Sequence, residues 1–286
     1  MSKRRFITVS AALVIAGVVL ALWLWHSSLR DSSSPHQSRV VVLMFHHIVP
    51  GTPDEYMFPA DRFARLIERL KATGYKALTL DSFQKAVSNH ASLPDKSLLL
   101  TFDDAYQDNY LYAFPILKTA GWPATFFVPT GKIEQSPDKR ITWGRINAAP
   151  AMIWGEIVEM HKAGMDFGSH GKNHVHLEVL SRTARWLEVT DSRDALVRML
   201  ETNTVAIAYP NGRYNRGTAR TVREAGYLIG FCTHPGSVDT TSRFLNPYAV
   251  PRINISGKLS VDEAFGLIER YRESPAREVW REGRDL

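Results

Sequence analysis

The chain contains the stretch Ser97-Leu98-Leu99-Leu100-Thr101-Phe102-Asp103-Asp104, in which an apolar run leads directly into two neighbouring carboxylates. The run predicts a buried strand that ends at the two acids. Successive side chains of a strand point to opposite sides, so one carboxylate can bind a cation while its neighbour stays free as a base.

Two histidines downstream complement the paired acids. His170 and His174 stand four residues apart, just after the short segment Asp166-Phe167-Gly168. At this spacing we expect them to lie on one side of a helical turn and to present two imidazole nitrogens to one point. Two nitrogens and one carboxylate oxygen are typical ligands of a divalent metal, and they leave a fourth tetrahedral position open for water.

Either group alone has a simpler explanation. Paired aspartates often cap a helix or lie in a solvated turn, and two histidines four apart are often accidental. Here each group follows a short apolar stretch, which is the pattern of strand ends in an α/β protein, where such folds place their active sites. We therefore predict that the two groups meet at one metal site.

Short apolar runs alternate with amphipathic stretches from Val40 onward, and Val40-Val41-Val42-Leu43-Met44-Phe45 has the pattern of a buried strand. The other predicted strands lie near residues 75–80, 97–102, 124–128, 166–168, 205–208, 228–232 and 251–255. The predicted helices lie near residues 63–73, 112–120, 154–163, 182–202, 216–225 and 261–272. This alternation predicts an α/β fold, a distorted parallel (β/α) barrel with about seven strands, preceded by one N-terminal transmembrane helix.

The composition restricts the class of protein. The 286 residues are 44% hydrophobic and 22% charged, which is ordinary for one globular domain. Lys3, Arg4 and Arg5 supply a good part of the net charge of +6, and the other basic residues alternate with acids, so no nucleic-acid binding is indicated. Residues 131–150 lack periodicity and predict a long surface loop. The single cysteine, Cys232, is expected to be buried.

The N-terminal segment predicts an exported protein held at the cell membrane. Residues 1–5 form a basic cytoplasmic stub, and residues 6–25 are apolar enough to cross a bilayer as a signal-anchor. A cleaved signal peptide is the competing interpretation, but the apolar run ends in Leu22-Trp23-Leu24-Trp25-His26 rather than in small residues. A flexible linker is predicted at residues 26–39, the folded domain at residues 40–273 and a charged tail at residues 274–286. The folded domain is expected to lie in the periplasm or at the cell surface.

Taken together, these residues resemble the polysaccharide deacetylase family, also called family 4 carbohydrate esterases, over most of the exported region. Thr101-Phe102-Asp103-Asp104 is similar to the family's first motif, which implies that Asp103 is the catalytic base and Asp104 a metal ligand. His170 and His174 are similar to the two-histidine motif that completes the metal site. The resemblance implies a divalent metal, zinc first, with nickel or cobalt accepted by the same ligands.

The front of the domain is similar to circularly permuted family members, which include those acting on poly-β-1,6-N-acetylglucosamine. Leu43-Met44-Phe45-His46-His47 resembles their strand-end histidine, which implies that His46 is the catalytic acid. Val250-Pro251-Arg252-Ile253 resembles a segment whose arginine lies near the base, which implies that Arg252 keeps Asp103 ionised.

The segment from Ala208 to Asn215 is similar to the family's third motif, which lines the substrate groove. It implies substrate contacts by Tyr209, Pro210, Asn211 and Tyr214. Three positions depart from the family pattern: Ala105 replaces a usual glycine, Gly171 a serine or threonine, and Asn211 a frequent tyrosine. None of the departures removes a metal ligand or a proton-transfer group, so they bear on rate and substrate rather than on reaction type.

Four further side chains have both a structural and a functional interpretation. Trp143 and Trp154 could stack on sugar rings, as could Tyr209 and Tyr214. Core packing is the equal alternative for Trp154, which is predicted to begin a helix. His47 is expected to point away from His46 and to have a structural role. His176 could line the groove, but a surface position without metal binding is the favoured interpretation.

The resemblance implies a metal-dependent N-deacetylase that acts outside the cytoplasm on an N-acetylhexosamine polysaccharide, with poly-N-acetylglucosamine favoured. An O-acetyl polysaccharide esterase would use the same metal and water with less help from an acid. A membrane-tethered glycan-binding protein that has lost catalysis is the alternative from another class. A partner role in a polysaccharide synthase or export complex is compatible with the anchor.

Overall fold

The structure, a computed structural model, describes residues 39–144, 148–203 and 206–274. Most of its strands are short and follow one another along the chain with helices between them. The strands are β1 Arg39–Phe45, β2 His47–Val49, β3 Met57–Pro59, β4 Lys76–Ala77, β5 Ser97–Phe102, β6 Thr125–Val128, β7 Thr142–Trp143, β8 Ala149–Pro150, β9 Asp166–Ser169, β10 Ala206–Ala208, β11 Ile229–Phe231, β12 Ser237–Asp239 and β13 Ile253–Asn254.

The central sheet closes on itself through its last strand. The strands β11, β10, β9, β6, β5 and β1 pair in this order, all in parallel. Val250 bridges Phe231 of β11 in parallel, and Ile253 of β13 pairs in parallel with Leu43 of β1. These six strands and β13 form an irregular ring, which confirms the predicted distorted parallel barrel.

Helices cover the outer face of the ring, and several begin at a side chain that accepts a backbone hydrogen bond. Thr79, Ser181, Asn215 and Ser260 each accept such a bond from the first helical turn that follows. The helices are α1 Ala60–Ala72, α2 Leu80–Asn89, α3 Phe114–Ala120, α4 Trp154–Lys162, α5 Arg182–Leu200, α6 Arg216–Glu224 and α7 Val261–Glu273. A π-helical turn precedes α3 at Asn109–Ala113, and 3-10 turns lie at Thr130–Lys132, Pro137–Lys139, Leu177–Val179 and Pro210–Gly212.

Strand alternation separates an inner core from an outer one. The inner core lies within the ring and contains every second residue of its strands, among them Val42, Leu99 and Phe127. The residues between them, such as Phe102 and Phe126, face outward and pack against the helices. Because side chains alternate along a strand, each strand end has one residue directed into the barrel mouth and one directed outward.

Three sequence-based expectations need correction or lie outside the structure. The predicted strand at residues 75–80 is limited to β4, because the hydroxyl of Thr79 accepts the Ser82 amide and starts α2. The predicted loop at residues 131–150 contains two 3-10 turns and the antiparallel pair of β7 and β8. The predicted basic stub and membrane span, the predicted linker up to residue 38, and the predicted tail at residues 274–286 except for Ser274 lie outside the described residues. Within the described part of the chain no helix has the length and apolarity of a membrane span. Cys232 is buried, as predicted.

The outer core makes a stability prediction. Phe126 is fully buried and stacks on Phe102 with ring centroids 4.7 Å apart. Phe126→Ala should lower the free energy of unfolding in urea by about 3–5 kcal/mol, because it leaves a cavity beside the stacked rings. Phe244→Ala is the matched control, since Phe244 is 88% exposed and should change the free energy by less than about 0.5 kcal/mol. Equal effects of the two substitutions would contradict this core assignment.

Candidate active site

Asp103 and Arg252 meet inside the barrel mouth. Asp103 continues the inner-facing series of β5 after Leu99 and Thr101, and Arg252 follows Val250 on the closing segment. The guanidinium donates two hydrogen bonds of 2.7 Å to the two carboxylate oxygens, and its Nε donates to the Cys232 carbonyl at 3.1 Å. Burial alone would raise the pKa of Asp103, but the charge and hydrogen bonds of Arg252, together with the nearby His170 and His46, outweigh it and hold the pKa below its ordinary value. Asp103 is therefore ionised, as a general base must be.

Asp104, His170 and His174 bring three potential metal ligands together. Asp104 Oδ1 lies 3.5 Å from His170 Nε2 and 3.2 Å from His174 Nε2. One donor atom from each of the three residues lies within 4.8 Å of the other two. The buried Oδ1 has no hydrogen-bond partner among the described groups. A buried carboxylate oxygen without a partner is costly, so this arrangement fits a cation held by one oxygen and two nitrogens.

The protonation state of His170 suits a metal ligand. Its Nδ1 lies 2.8 Å from the Ala208 carbonyl, which requires that Nδ1 carries the proton and donates it. Nε2 then presents its lone pair towards Asp104. Burial lowers the pKa of His170 to about 4, so the ring is neutral near pH 7. Backbone acceptors orient metal-binding imidazoles in this way in many sites.

The segment from His170 to His174 is a loop, and the predicted helical turn is wrong. Gly171 has φ 72° and His174 has φ 58°, so the backbone turns left-handed at both positions. The carboxylate of Glu188 on α5 accepts hydrogen bonds from the amides of Lys172 at 3.1 Å and Asn173 at 2.9 Å. The loop, rather than helical spacing, brings the two imidazole rings to a centroid separation of 4.8 Å.

His46 lies in the same cavity as both carboxylates. It continues the inner-facing series of β1 after Val42 and Met44, and its ring edge packs on Tyr56 with centroids 5.0 Å apart. Burial lowers the pKa of His46, while the charges of Asp104 and Asp103 oppose that shift. Its buried Nδ1 has no hydrogen-bond partner among the described groups.

These residues line one open cavity of about 1010 Å³ at the mouth of the barrel. A cavity of this size has room for several sugar rings or for one ring with its neighbours. The lining residues are Met44, His46, His47, Tyr56, Asp103, Asp104, Tyr106, Lys132, Trp143, Gly144, His170, Asn173, His174, His176, Asn211, Arg213, Thr233 and Asn254.

Tyr106 is a site residue that sequence reasoning missed. Burial and the Asp104 carboxylate raise the pKa of Tyr106 above its ordinary value, and its ring is held between Trp143, with centroids 5.5 Å apart, and His47, with centroids 3.7 Å apart. His47 Nδ1 lies 2.6 Å from Asp108, so His47 packs and orients this wall as expected of a structural residue. No motif that we used distinguishes Tyr106, and its position two residues after Asp104 is the only sequence signal.

The predicted groove residues occupy different environments. Asn211 lines the cavity, whereas Tyr209 and Pro210 are buried and Tyr214 stacks on Tyr209 with centroids 5.0 Å apart. Tyr209 follows Ala208, whose side chain faces inward, so strand alternation turns Tyr209 outward and its hydroxyl donates to the Tyr248 carbonyl at 2.9 Å. The interpretation of Tyr209 as a sugar-stacking residue is therefore wrong.

The two tryptophans also separate. Trp143 lines the cavity, with its ring centroid 5.2 Å from that of His174, so it is available to a sugar. Trp154 begins α4, is 6% exposed and packs in the outer core. His176, expected at the surface, is half-buried in the cavity wall, with its Nδ1 3.6 Å from Glu178.

The buried ion pair generates a stability prediction. Arg252→Met should lower the free energy of unfolding in urea by about 3–5 kcal/mol, because it leaves the Asp103 carboxylate buried without its partner. The double variant with Asp103→Asn should cost clearly less than the sum of the two single substitutions. Additive costs would show that the two side chains do not depend on each other.

Comparison with known proteins agrees with this geometry. The family model described as polysaccharide deacetylase matches residues 90–230. The protein YxkH of Bacillus subtilis (strain 168), which is named for this family, is 31% identical over 80% of this chain and 75% of its own length. A poly-β-1,6-N-acetyl-D-glucosamine N-deacetylase of Staphylococcus aureus (strain MSSA476) is 26% identical over 95% of this chain and 98% of its own. The Escherichia coli (strain K12) protein of the same name is 24% identical, and the match spans 42% of its length.

Solved structures share the fold. The Streptococcus pyogenes deacetylase PplD has a TM-score of 0.70 and 30% identity, covering 80% of this chain and 98% of that one. IcaB from Ammonifex degensii has a TM-score of 0.70 at 21% identity, covering 83% of this chain and 98% of that one, and supports the fold alone. With the family model, the B. subtilis relative and the site geometry in agreement, the chain belongs to the polysaccharide deacetylase family.

Proposed function

We propose that this protein is a metal-dependent hydrolase that removes N-acetyl groups from an N-acetylhexosamine polysaccharide outside the cytoplasm, with poly-N-acetylglucosamine as the favoured polymer. The observation that carries the proposal is the meeting of Asp103, Asp104, His170 and His174 in one cavity, with an unpartnered carboxylate oxygen at its centre. The preferred polymer follows from the names of the S. aureus and E. coli relatives.

Asp104, His170 and His174 would hold the metal. When bound, a divalent ion lowers the pKa of a water molecule and polarises the acetyl carbonyl. Zinc suits two imidazoles and one carboxylate, and nickel or cobalt can replace it with the same ligands. Backbone hydrogen bonds from Thr130 and Gly131 to the loop of His170 and His174 help to keep the ligand atoms in place.

Asp103 acts as the general base in this proposal. Arg252 occupies both oxygens with hydrogen bonds of 2.7 Å and so fixes the orientation of the carboxylate inside the barrel mouth. Asp103 Oδ2 lies 3.9 Å from His170 Nε2, which places the carboxylate beside the ligand cluster without joining it. From there it can take the proton of the attacking water.

His46 acts as the general acid. This role needs the protonated ring. Burial lowers the pKa of His46, whereas the neighbouring charges of Asp104 and Asp103 favour the protonated form. It reaches the cavity from β1, the neighbour of the β5 strand that carries the aspartates. A substrate amide between His46 and the ligand cluster could receive a proton on its nitrogen as the carbon–nitrogen bond breaks. An amine is a poor leaving group, so this proton is required for an amide and less so for an ester. The presence of His46 therefore favours N-deacetylation over removal of O-acetyl groups.

The location of the reaction is proposed from the sequence alone. The apolar residues 6–25 would anchor the chain in the cell membrane with residues 1–5 in the cytoplasm. The catalytic domain would then meet a polymer in the periplasm or at the cell surface. A neighbouring polysaccharide synthase or export complex is a compatible partner.

The roles assigned to the site residues can be separated by two measurements on each variant. Asp103→Asn and His46→Gln should lower kcat by about 10²–10⁴-fold while zinc still binds, because they remove proton-transfer groups. Asp104→Asn and His174→Gln should lose both zinc binding and turnover. His90→Gln, at an exposed position outside the cavity, is the control and should keep both. Zinc binding by Asp104→Asn at wild-type affinity would refute the ligand assignment.

The reaction itself is tested by acetate release from N-acetylglucosamine oligomers with β-1,4 and β-1,6 linkages. We expect the metal-stripped protein to be inactive, zinc to restore acetate release, and the β-1,6 oligomer to be preferred. Acetylated xylan is the comparison for the ester alternative. Acetate from xylan but from neither oligomer would favour the O-acetyl esterase, and oligomer binding without any acetate release would favour a glycan-binding protein.

A further inference from the structure

The permanently charged side chains of the cavity wall fall into two sets. Asp103 and Asp104 belong to the reaction centre, and Asp103 is paired with Arg252. The other permanently charged residues that line the cavity, among those the structure describes, are Lys132 and Arg213. Outside the reaction centre, the described wall therefore carries only positive charge.

The strand order places these two cations on either side of the histidine loop. Lys132 follows β6, the loop of His170–His174 follows β9, and Arg213 follows β10, and these strands are neighbours in the ring. The amide of Gly131 donates to the Lys172 carbonyl at 2.7 Å, which ties the turn of Lys132 to the loop. Both cations line the same cavity as the proposed metal ligands, which a polymer must enter for its acetyl group to react.

Neither cation is strongly neutralised. The half-buried Lys132 has no side-chain hydrogen bond or ion pair with any described residue. Arg213 is 64% exposed, and its contact with the Glu178 carboxylate is long, at 4.0 Å. Weak pairing at an exposed site leaves most of the arginine charge available to a ligand.

The proposed reaction places positive charge on the polymer. Water adds to the acetyl carbonyl, the carbon–nitrogen bond breaks, acetate leaves, and the sugar nitrogen gains a proton and remains as an amine. Near neutral pH this amine is largely protonated to ammonium. A sugar beside the next target therefore carries a neutral amide before it has reacted and a cation afterwards.

We propose that Lys132 and Arg213 make the site select against N-acetylated sugars with a deacetylated neighbour, so that deacetylation is dispersed along the polymer. This inference rests on the proposed function and adds a preference for which sugars stand next to the N-acetylated target. Two like charges about 7 Å apart in water repel enough to change binding by about threefold. Two cations acting together would give about five- to tenfold discrimination at low ionic strength.

The test compares two pentamers in the linkage that the protein prefers, each with one central N-acetylglucosamine. The sugars on either side of it are glucose in one pentamer and glucosamine in the other. Neither pentamer has an acetyl group next to the target, so the two differ mainly in the charge of the neighbouring sugars. The zinc-loaded full-length chain at low salt should show a kcat/KM about five- to tenfold higher for the glucose pentamer. In the double variant Lys132→Gln with Arg213→Gln, this ratio should fall to within about twofold. Lys139→Gln, an exposed lysine outside the cavity, should leave it unchanged.

Raising the salt concentration provides a second measurement on the wild-type protein, which does not depend on whether the variant folds. Screening should reduce the ratio towards one. A wild-type ratio near one at low salt, a ratio that salt does not change, or a ratio that survives the double substitution would overturn the inference. Failure of both pentamers and of fully acetylated oligomers to release acetate would instead overturn the proposed function, and this inference with it.

Discussion

The ion pair between Asp103 and Arg252 is the interaction on which both the barrel and its site depend. It joins β5 to the closing segment across 149 residues of sequence, and both side chains are buried. Arg252 also donates a hydrogen bond to the Cys232 carbonyl next to β11. One guanidinium therefore links the end of β5 to the end of β11 at the point where the closing segment completes the ring. A buried charge without its partner is strongly destabilising, so the same contact stabilises the closed ring and the ionised Asp103 carboxylate.

The proposed metal site imposes a second constraint, on the backbone. Asp104 has φ 76°, Ala105 φ 52° and His174 φ 58°, all in the left-handed region that favours glycine. Such residues cost about 1–3 kcal/mol each and concentrate at functional sites. At Ala105 the backbone holds a conformation that glycine would adopt without this cost. Bonds to Glu188 and packing around Tyr106 hold the strained segments in place.

Sequence reasoning succeeded where the alternation of side chains along a strand, or a family motif, determines the position of a residue. The run that ends at Asp103 and Asp104 predicted a buried strand with both acids at its end, and family resemblance placed Arg252 beside the base. It failed where local backbone geometry decides, because spacing alone does not distinguish a helical turn from the left-handed loop at His174. Tyr209 was assigned to the groove because it lies in the groove motif. The motif does not show that strand alternation after β10 turns this side chain outward.

The closing segment has a consequence for the order in which the protein becomes functional. β13 pairs with the first strand of the domain, more than 200 residues earlier in the chain, and the same segment supplies Arg252. Contacts between such distant residues form slowly, because the entropy of closing a long loop must be overcome first. The buried pair of Asp103 and Arg252 can therefore form only once the closing segment has reached the rest of the barrel. An incompletely folded chain would lack this pair, and with it the environment that the proposed reaction requires of Asp103.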